Sequence, residues 1–338
     1  MKQKLARWLS FLGVLGLLAT VVAGCSPLRD IMTPSPGVSA EWAPLLQEVR
    51  AFERSFGFED TENFLDLSTD QESFPFCGYA SALSLPYSYE DPAIRWVESV
   101  TEQECRRLGR GMDVYFGAVE ALGEVGTPVT PSMITGKLDR FVYLVIHEDC
   151  HDQFELPYGI EEALCNLITF KAMAVFAEKR FKWFADEGRA IRRYADEQSR
   201  ITRETIAYYD KLAALYARHQ RGEIAADVLM RDRAALFSEA ERPLTWTKGT
   251  LNNVSIANDM TYSRHYPFLE SVFDALGRDL ARTVAFFKKV DDIKPAKEDV
   301  LKQQRIADET SLQAVRAYEA AVLETVRAAL PAAVAGKR

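Results

Sequence analysis

The chain has 338 residues, 48% of them hydrophobic and 27% charged, with a formal net charge of −8. That length can bury a full core, as one large domain or two small ones. The acidic balance argues against nucleic acid as a partner, and any membrane contact would come from acyl chains rather than a basic surface.

In chain order, Lys2, Lys4 and Arg7 precede an apolar stretch from Trp8 to Ala23, which ends in Val22-Ala23-Gly24-Cys25. This is the layout of a secretory signal with a small-residue processing site. The small residues before Cys25 resemble a lipobox, whose cysteine becomes the acylated first residue of the mature chain. The alternative is a membrane-spanning anchor, for which the stretch is short, since spanning takes ~20 apolar residues. The expectation is a signal peptide over 1–24, lipidation at Cys25, and a protein held on the periplasmic side of a bacterial membrane. Ser26, in place of an aspartate, points to the outer membrane. Residues 25–40, with Pro27, Pro34 and Pro36, read as a tether.

Beyond the tether, a domain is expected over 41–295, followed by a C-terminal helix within 296–338. Leu45, Leu46, Val49, Phe52 and Phe56 recur at helical spacing. Residues 70–92, rich in Pro, Tyr, Ser and Gly, read as irregular, Ala93–Leu108 as a helix, and Met112–Val119 as a strand. Helices are then expected over Lys137–Phe154, Gly159–Trp183, much of the charged segment Lys179–Arg221, Ala226–Ala240, Leu251–Ala275 and Asp279–Val290. A final amphipathic helix, Glu298–Leu330, reads as peripheral. The expected class is mainly α with a small β component, an α+β arrangement. Cys77, Cys105, Cys150 and Cys165 fall in a compartment that permits disulfides. Four cysteines allow three pairings, and free buried thiols remain open as well.

His147-Glu148-Asp149-Cys150-His151 has the pattern HExxH. Residues four apart on a helix share a face, so both imidazoles can reach one ion. Zinc takes imidazole nitrogen and leaves a position open for chemistry. Glu148, one residue past the first histidine, is placed to act as a general base without ligating. The apolar run Phe141–Ile146 would bury this helix and keep the site dry. A helix surface also carries histidine pairs without any metal, so a third ligand is needed. Glu155, Glu161 and Glu162 are the candidates, the last two on the helix that follows Gly159. First-turn acids are also favoured by the helix dipole, which separates neither glutamate from the other.

These residues resemble the bacterial aminopeptidase family of lipid-anchored HExxH proteins, which is similar to the gluzincin metallopeptidases. The likeness runs through Cys25, Val49-Arg50-Ala51-Phe52, Phe56-Gly57-Phe58, Asp113-Val114-Tyr115, Ala118, Leu122-Gly123, Pro131 and His147–His151. It continues through Glu161-Glu162-Ala163-Leu164-Cys165 and Leu251-Asn252-Asn253-Val254, with Tyr262 and Pro267 after them. The resemblance implies a gluzincin-like helical domain and gives Glu162 the third-ligand role. Departures fall at Asp149, Cys150, Asp152, Glu161 and Cys165.

Two functions compete. The first is a zinc peptide hydrolase acting on peptides, with Zn²⁺ held by His147, His151 and Glu162 and with Glu148 as base. Tyr262 or His265 would stabilise the oxyanion, and Asn252 and Asn253 would either bind substrate or cap a helix. The second is a lipoprotein that keeps the fold, performs no catalysis, and binds an envelope partner or peptide. Oligomeric state is not legible.

Overall fold

The computed structural model describes residues 42–68, 73–121 and 126–335, together with Gly37. The leader 1–24, Cys25 and, Gly37 apart, the tether lie outside the described residues. Among those described, the chain is mainly helical with one three-stranded sheet, in line with the expected class.

Helix α1 (Trp42–Arg54) is followed by β1 (Phe74–Ala80), β2 (Arg95–Glu98), the short α2 (Glu102–Leu108) and β3 (Asp113–Val119). The sheet order is β2-β1-β3, all antiparallel, with Cys77 opposite Val97 on one side and Phe116 on the other. A strand therefore sits where 70–92 reads as irregular. Pro75 is tolerated because pairing with β2 begins only at Phe76. The helix expected over Ala93–Leu108 is also corrected. Arg95–Glu98 pairs with β1, Ser99 turns the chain at φ 56, and the helix starts at Glu102 behind the N-cap Thr101, whose side chain forms a capping box with Glu104. Gly78 is required by a close approach, since the Trp96 ring occupies the space of a Cβ. Trp96 in turn stacks on Tyr89 and donates its indole N–H to the Tyr89 carbonyl at 2.8 Å.

The short α3 (Pro131–Thr135) leads into α4 (Leu138–His151) and α5 (Tyr158–Arg180). In α4, Phe141, Val142, Val145 and Ile146 are fully buried, so this helix lies inside the main core. The 35-residue α6 (Asp186–Gln220) packs on α5 with one buried stripe and a charged outer face. Next come α7 (Ala226–Ala240), α8 (Asn253–Ser263), α9 (Tyr266–Ala275) and α10 (Leu280–Ile293). The single helix expected over Leu251–Ala275 is two. Asn252 caps the first, and Pro267 near the start of the second lacks the N–H that would continue the ladder.

The end of the chain also departs from expectation, with α11 (Lys297–Gln304) and α12 (Leu312–Ala335) in place of one helix. Arg305 adopts a left-handed conformation that ends α11. α12 is not peripheral, because Val322 and Val326 are fully buried in the same core as α4 and α5.

Among the described residues there are two disulfides. Cys77–Cys105 ties β1 to α2, and Cys150–Cys165 ties α4 to α5.

Candidate metal centre

His147 and His151 lie one turn apart near the C-terminal end of α4, and Glu162 lies in the first turns of α5. The Cys150–Cys165 bridge joins the two helices within a few residues of all three side chains. Glu162 Oε2 is 3.2 Å from His147 Nε2 and 3.4 Å from His151 Nε2, and the two Nε2 atoms are 3.4 Å apart. All three residues are buried and can each offer one ligand atom to a single point.

The residues fit a metal on two grounds. Ligand atoms ~2.0–2.2 Å from a tetrahedrally held zinc lie ~3.3–3.6 Å from one another, which is the observed triangle. Glu162 Oε2 is moreover buried without a hydrogen-bond partner, a costly state for a carboxylate oxygen unless a cation meets it.

Neighbouring groups orient the ligands. His151 Nδ1 is 2.8 Å from Glu161 Oε1, so an Nδ1–H donor leaves Nε2 free to ligate. Glu161 Oε2 also accepts from the Leu156 N–H at 2.9 Å, across the turn between α4 and α5. The two adjacent glutamates thus divide the work expected of one. Burial opposes charge at His151, but Glu162, Glu161 and Glu148 outweigh it and hold its pKa well above the usual histidine value. Burial likewise works against the Glu162 carboxylate, yet the two histidines keep it well below the usual carboxylate range. The clustered acids thus favour positive charge at this point of the fold.

The far side of α4 is held by a polar cluster. Arg50 on α1 pairs with Asp149 at 3.3 Å, and the Thr61 hydroxyl donates to Asp149 at 2.5 Å. Asn63 Nδ2 donates to the Glu148 carbonyl and to Asp152, each at 3.1 Å. Burial, then the Asp149 charge, pushes the Glu53 carboxyl beside the pair well above the usual range. The unusual Asp149 and Asp152 thus serve as attachment points for 42–68.

A cleft of about 520 Å³ opens over the three ligand residues. Glu148, Tyr158 and Tyr262 line its floor, and Phe76, Tyr89 and Tyr115 line its walls. Tyr262 was expected at the site and is there. Burial first, then the charge of Glu162, raises its hydroxyl pKa well above the ordinary value, so it remains a donor. Tyr158 escaped sequence reasoning. Desolvation in the cleft, then the Glu162 charge, raises its pKa far above the ordinary value. Its one signal is its position four residues before Glu162 on the same helix.

The other expected residues lie elsewhere. His265 is outside the cleft lining, buried, with Nε2 3.4 Å from Glu319 Oε2 on α12. The buried carboxylate of Glu319, which also accepts from the Tyr87 hydroxyl at 2.8 Å, draws the imidazole away from the cleft. Asn252 caps α8, accepting from the Val254 and Ser255 N–H groups, and donates to the Val114 carbonyl at 2.8 Å. Asn253 is fully buried and donates to the Ser84 carbonyl at 2.8 Å and to the Tyr216 hydroxyl. Of the two readings open for this pair, the capping and packing one is what the structure displays. Glu155 does not join the ligand cluster.

A family model described as "Putative aminopeptidase" matches residues 97–302. The chain belongs to that family. The match takes in both ligand helices, α8 with Tyr262, and the disulfide between Cys150 and Cys165, while Arg50, Cys25 and α12 lie outside it. At the level of the family's description this aminopeptidase-family chain is a peptidase, and a peptide is the implied substrate. No curated protein and no solved structure matches it.

Proposed function

We propose that this chain is a zinc-dependent peptide hydrolase, held on the periplasmic side of a bacterial membrane through an acylated Cys25. The observation that carries the zinc reading is the buried triangle of His147 Nε2, His151 Nε2 and Glu162 Oε2, with edges of 3.2 to 3.4 Å.

Those three residues would hold the ion, which when bound supplies Lewis acidity toward a peptide carbonyl and makes water more acidic. Glu148, in the cleft beside them, takes the proton of the attacking water and returns it to the leaving amine. Tyr262 and Tyr158 keep their hydroxyl protons and donate toward the oxyanion that develops on the carbonyl oxygen. The aromatic walls exclude water and bind apolar parts of the peptide. The anchoring half of the reading rests on the basic start, apolar stretch and Ala23-Gly24-Cys25 of the leader.

The test is Glu148→Gln, which keeps size and removes the basic oxygen. Metal content and folding are expected to stay unchanged, and cleavage of any accepted peptide is expected to fall by at least ~10²-fold. Turnover that survives the change would remove Glu148 from the mechanism. A metal-loaded parent that binds peptide and never turns it over would favour the binding lipoprotein instead.

A further inference from the structure

The site has a side cavity that opens off the main cleft beside the catalytic groups. It has a volume of about 220 Å³ and shares Arg140, His147, Glu148 and Tyr262 with the main cleft, so it opens beside the reacting centre. Ligand pockets are usually ~300–1,000 Å³, so this space suits one side chain and not a second peptide unit.

Its wall is polar. Gln198, Thr202 and Thr205 come from α6, and Asp259 and Ser263 from α8. Two charged groups in it are already matched. Arg140 Nε is 2.8 Å from Glu120, its Nη1 donates to the Tyr194 hydroxyl at 3.2 Å, and its guanidinium lies over the Tyr143 ring. That arginine is therefore no free receptor for an acidic side chain.

Asp259 differs. Its carboxylate accepts from the Trp246 indole N–H at 3.2 Å and from the Asn258 side chain, both neutral donors. Among the described residues no cation stabilises it, and burial pushes its carboxyl up to about 7. A half-buried acid with neutral donors only, on the wall of an open cavity, is completed by a cation of fitting length.

We propose that the side cavity is a specificity pocket for a basic side chain of the peptide substrate, with Asp259 as the residue that selects it. The inference rests on the peptidase reading of the adjoining centre and extends it to a substrate class. A Lys or Arg side chain lays its methylene stem along the Tyr262 end of the cavity and brings its charged head to Asp259. Thr202, Thr205 and Gln198 offer oxygens to the remaining N–H groups. A glutamate side chain meets Asp259 and the Glu120-bound Arg140, and so is disfavoured.

The experiment uses the full chain carrying Glu148→Gln and loaded with zinc, so that peptides bind without being cut. Calorimetry measures tripeptides of alanine in which each position in turn carries lysine, norleucine or glutamate. Lysine at one position is expected to bind at least about tenfold tighter than norleucine there, and glutamate weakest. Adding Asp259→Asn, with folding checked by thermal melting, is expected to abolish that preference. Equal binding of lysine and norleucine, or a lysine preference that persists in D259N, overturns the proposal and leaves the peptidase reading standing. The lysine comparison needs no Asp259 variant, so it decides even where D259N folds poorly. Binding of none of the tripeptides overturns this proposal and counts against the peptidase reading as well.

Discussion

Glu161 Oε1 lies 2.8 Å from His151 Nδ1, whereas the next residue, Glu162, turns its Oε2 toward the other nitrogen of the same ring at 3.4 Å. One imidazole thus has a carboxylate on each nitrogen, and in the proposed zinc centre Glu161 orients the ring while Glu162 ligates. The expected result is a graded loss of zinc. Glu162→Ala should weaken binding by orders of magnitude, as three protein ligands become two. Glu161→Ala should weaken it by about 10–100-fold, the scale for a group that orients a ligand. Competition with a chromogenic chelator reads both, and equal or reversed losses would exchange the two roles.

The Cys150–Cys165 bridge closes a loop of separation 15 between the ligand helices. A crosslink of that span is worth about 3 kcal/mol through the unfolded chain. The double variant C150S/C165S is expected to lose about that much in denaturant unfolding. Its zinc affinity should drop too, because α4 and α5 are then aligned by packing alone. Unchanged stability and unchanged affinity would assign the bridge no part in holding the centre.

Arg50 reaches from α1 to Asp149, inside the HExxH sequence itself. Both side chains are mostly buried, at 11% and 3% exposure, so removing the cation strands a carboxylate in the core. Arg50→Ala should destabilise the fold by about 3 kcal/mol. Paired replacement by neutral residues, Arg50→Met with Asp149→Leu, should cost less than the single change. A double-mutant cycle measures the difference, and additive losses would mean that the pair is not coupled.

Asp259 gives the fold a pH dependence. Its carboxyl rises from the ordinary aspartate value of 3.8 to about 7 through burial, against the Trp246 and Asn258 donors. The folded chain keeps a proton that the unfolded chain gives up above ~pH 4. This contribution to stability is thus fully present below the unfolded value and is lost as pH rises to about 7. Asp259→Asn should flatten that fall. Urea midpoints measured from pH 4 to 8 should show it, and parallel slopes in parent and variant would contradict it.

Much of the centre was legible beforehand, for physical reasons. His147 and His151 needed only helical spacing, and the apolar run Phe141–Ile146 announced a buried helix. Glu161 and Glu162 could not be separated by residue type, since both prove buried, at 3% and 4% exposure; only the turn at 152–157 decides which carboxylate meets the Nε2 side of the two histidines. Tyr158 was missed because an aromatic at a helix start reads as packing. The strand at Arg95–Glu98 was missed because four residues beside a capped helix carry too little period to stand out. Pairing of the cysteines depends on distances between elements, β1 to α2 and α4 to α5, which spacing does not encode. His265 sat in the right segment, but its partner Glu319 lies 54 residues further on, beyond the reach of local pattern.

The most direct test of the central claim is the metal content of the full chain. Zinc-loaded protein, freed of loose metal by gel filtration, should carry one zinc per chain by elemental analysis. His147→Ala and His151→Ala should each carry none, with helical content retained. A parent chain that comes off the column without zinc, or histidine variants that keep it, would contradict the account.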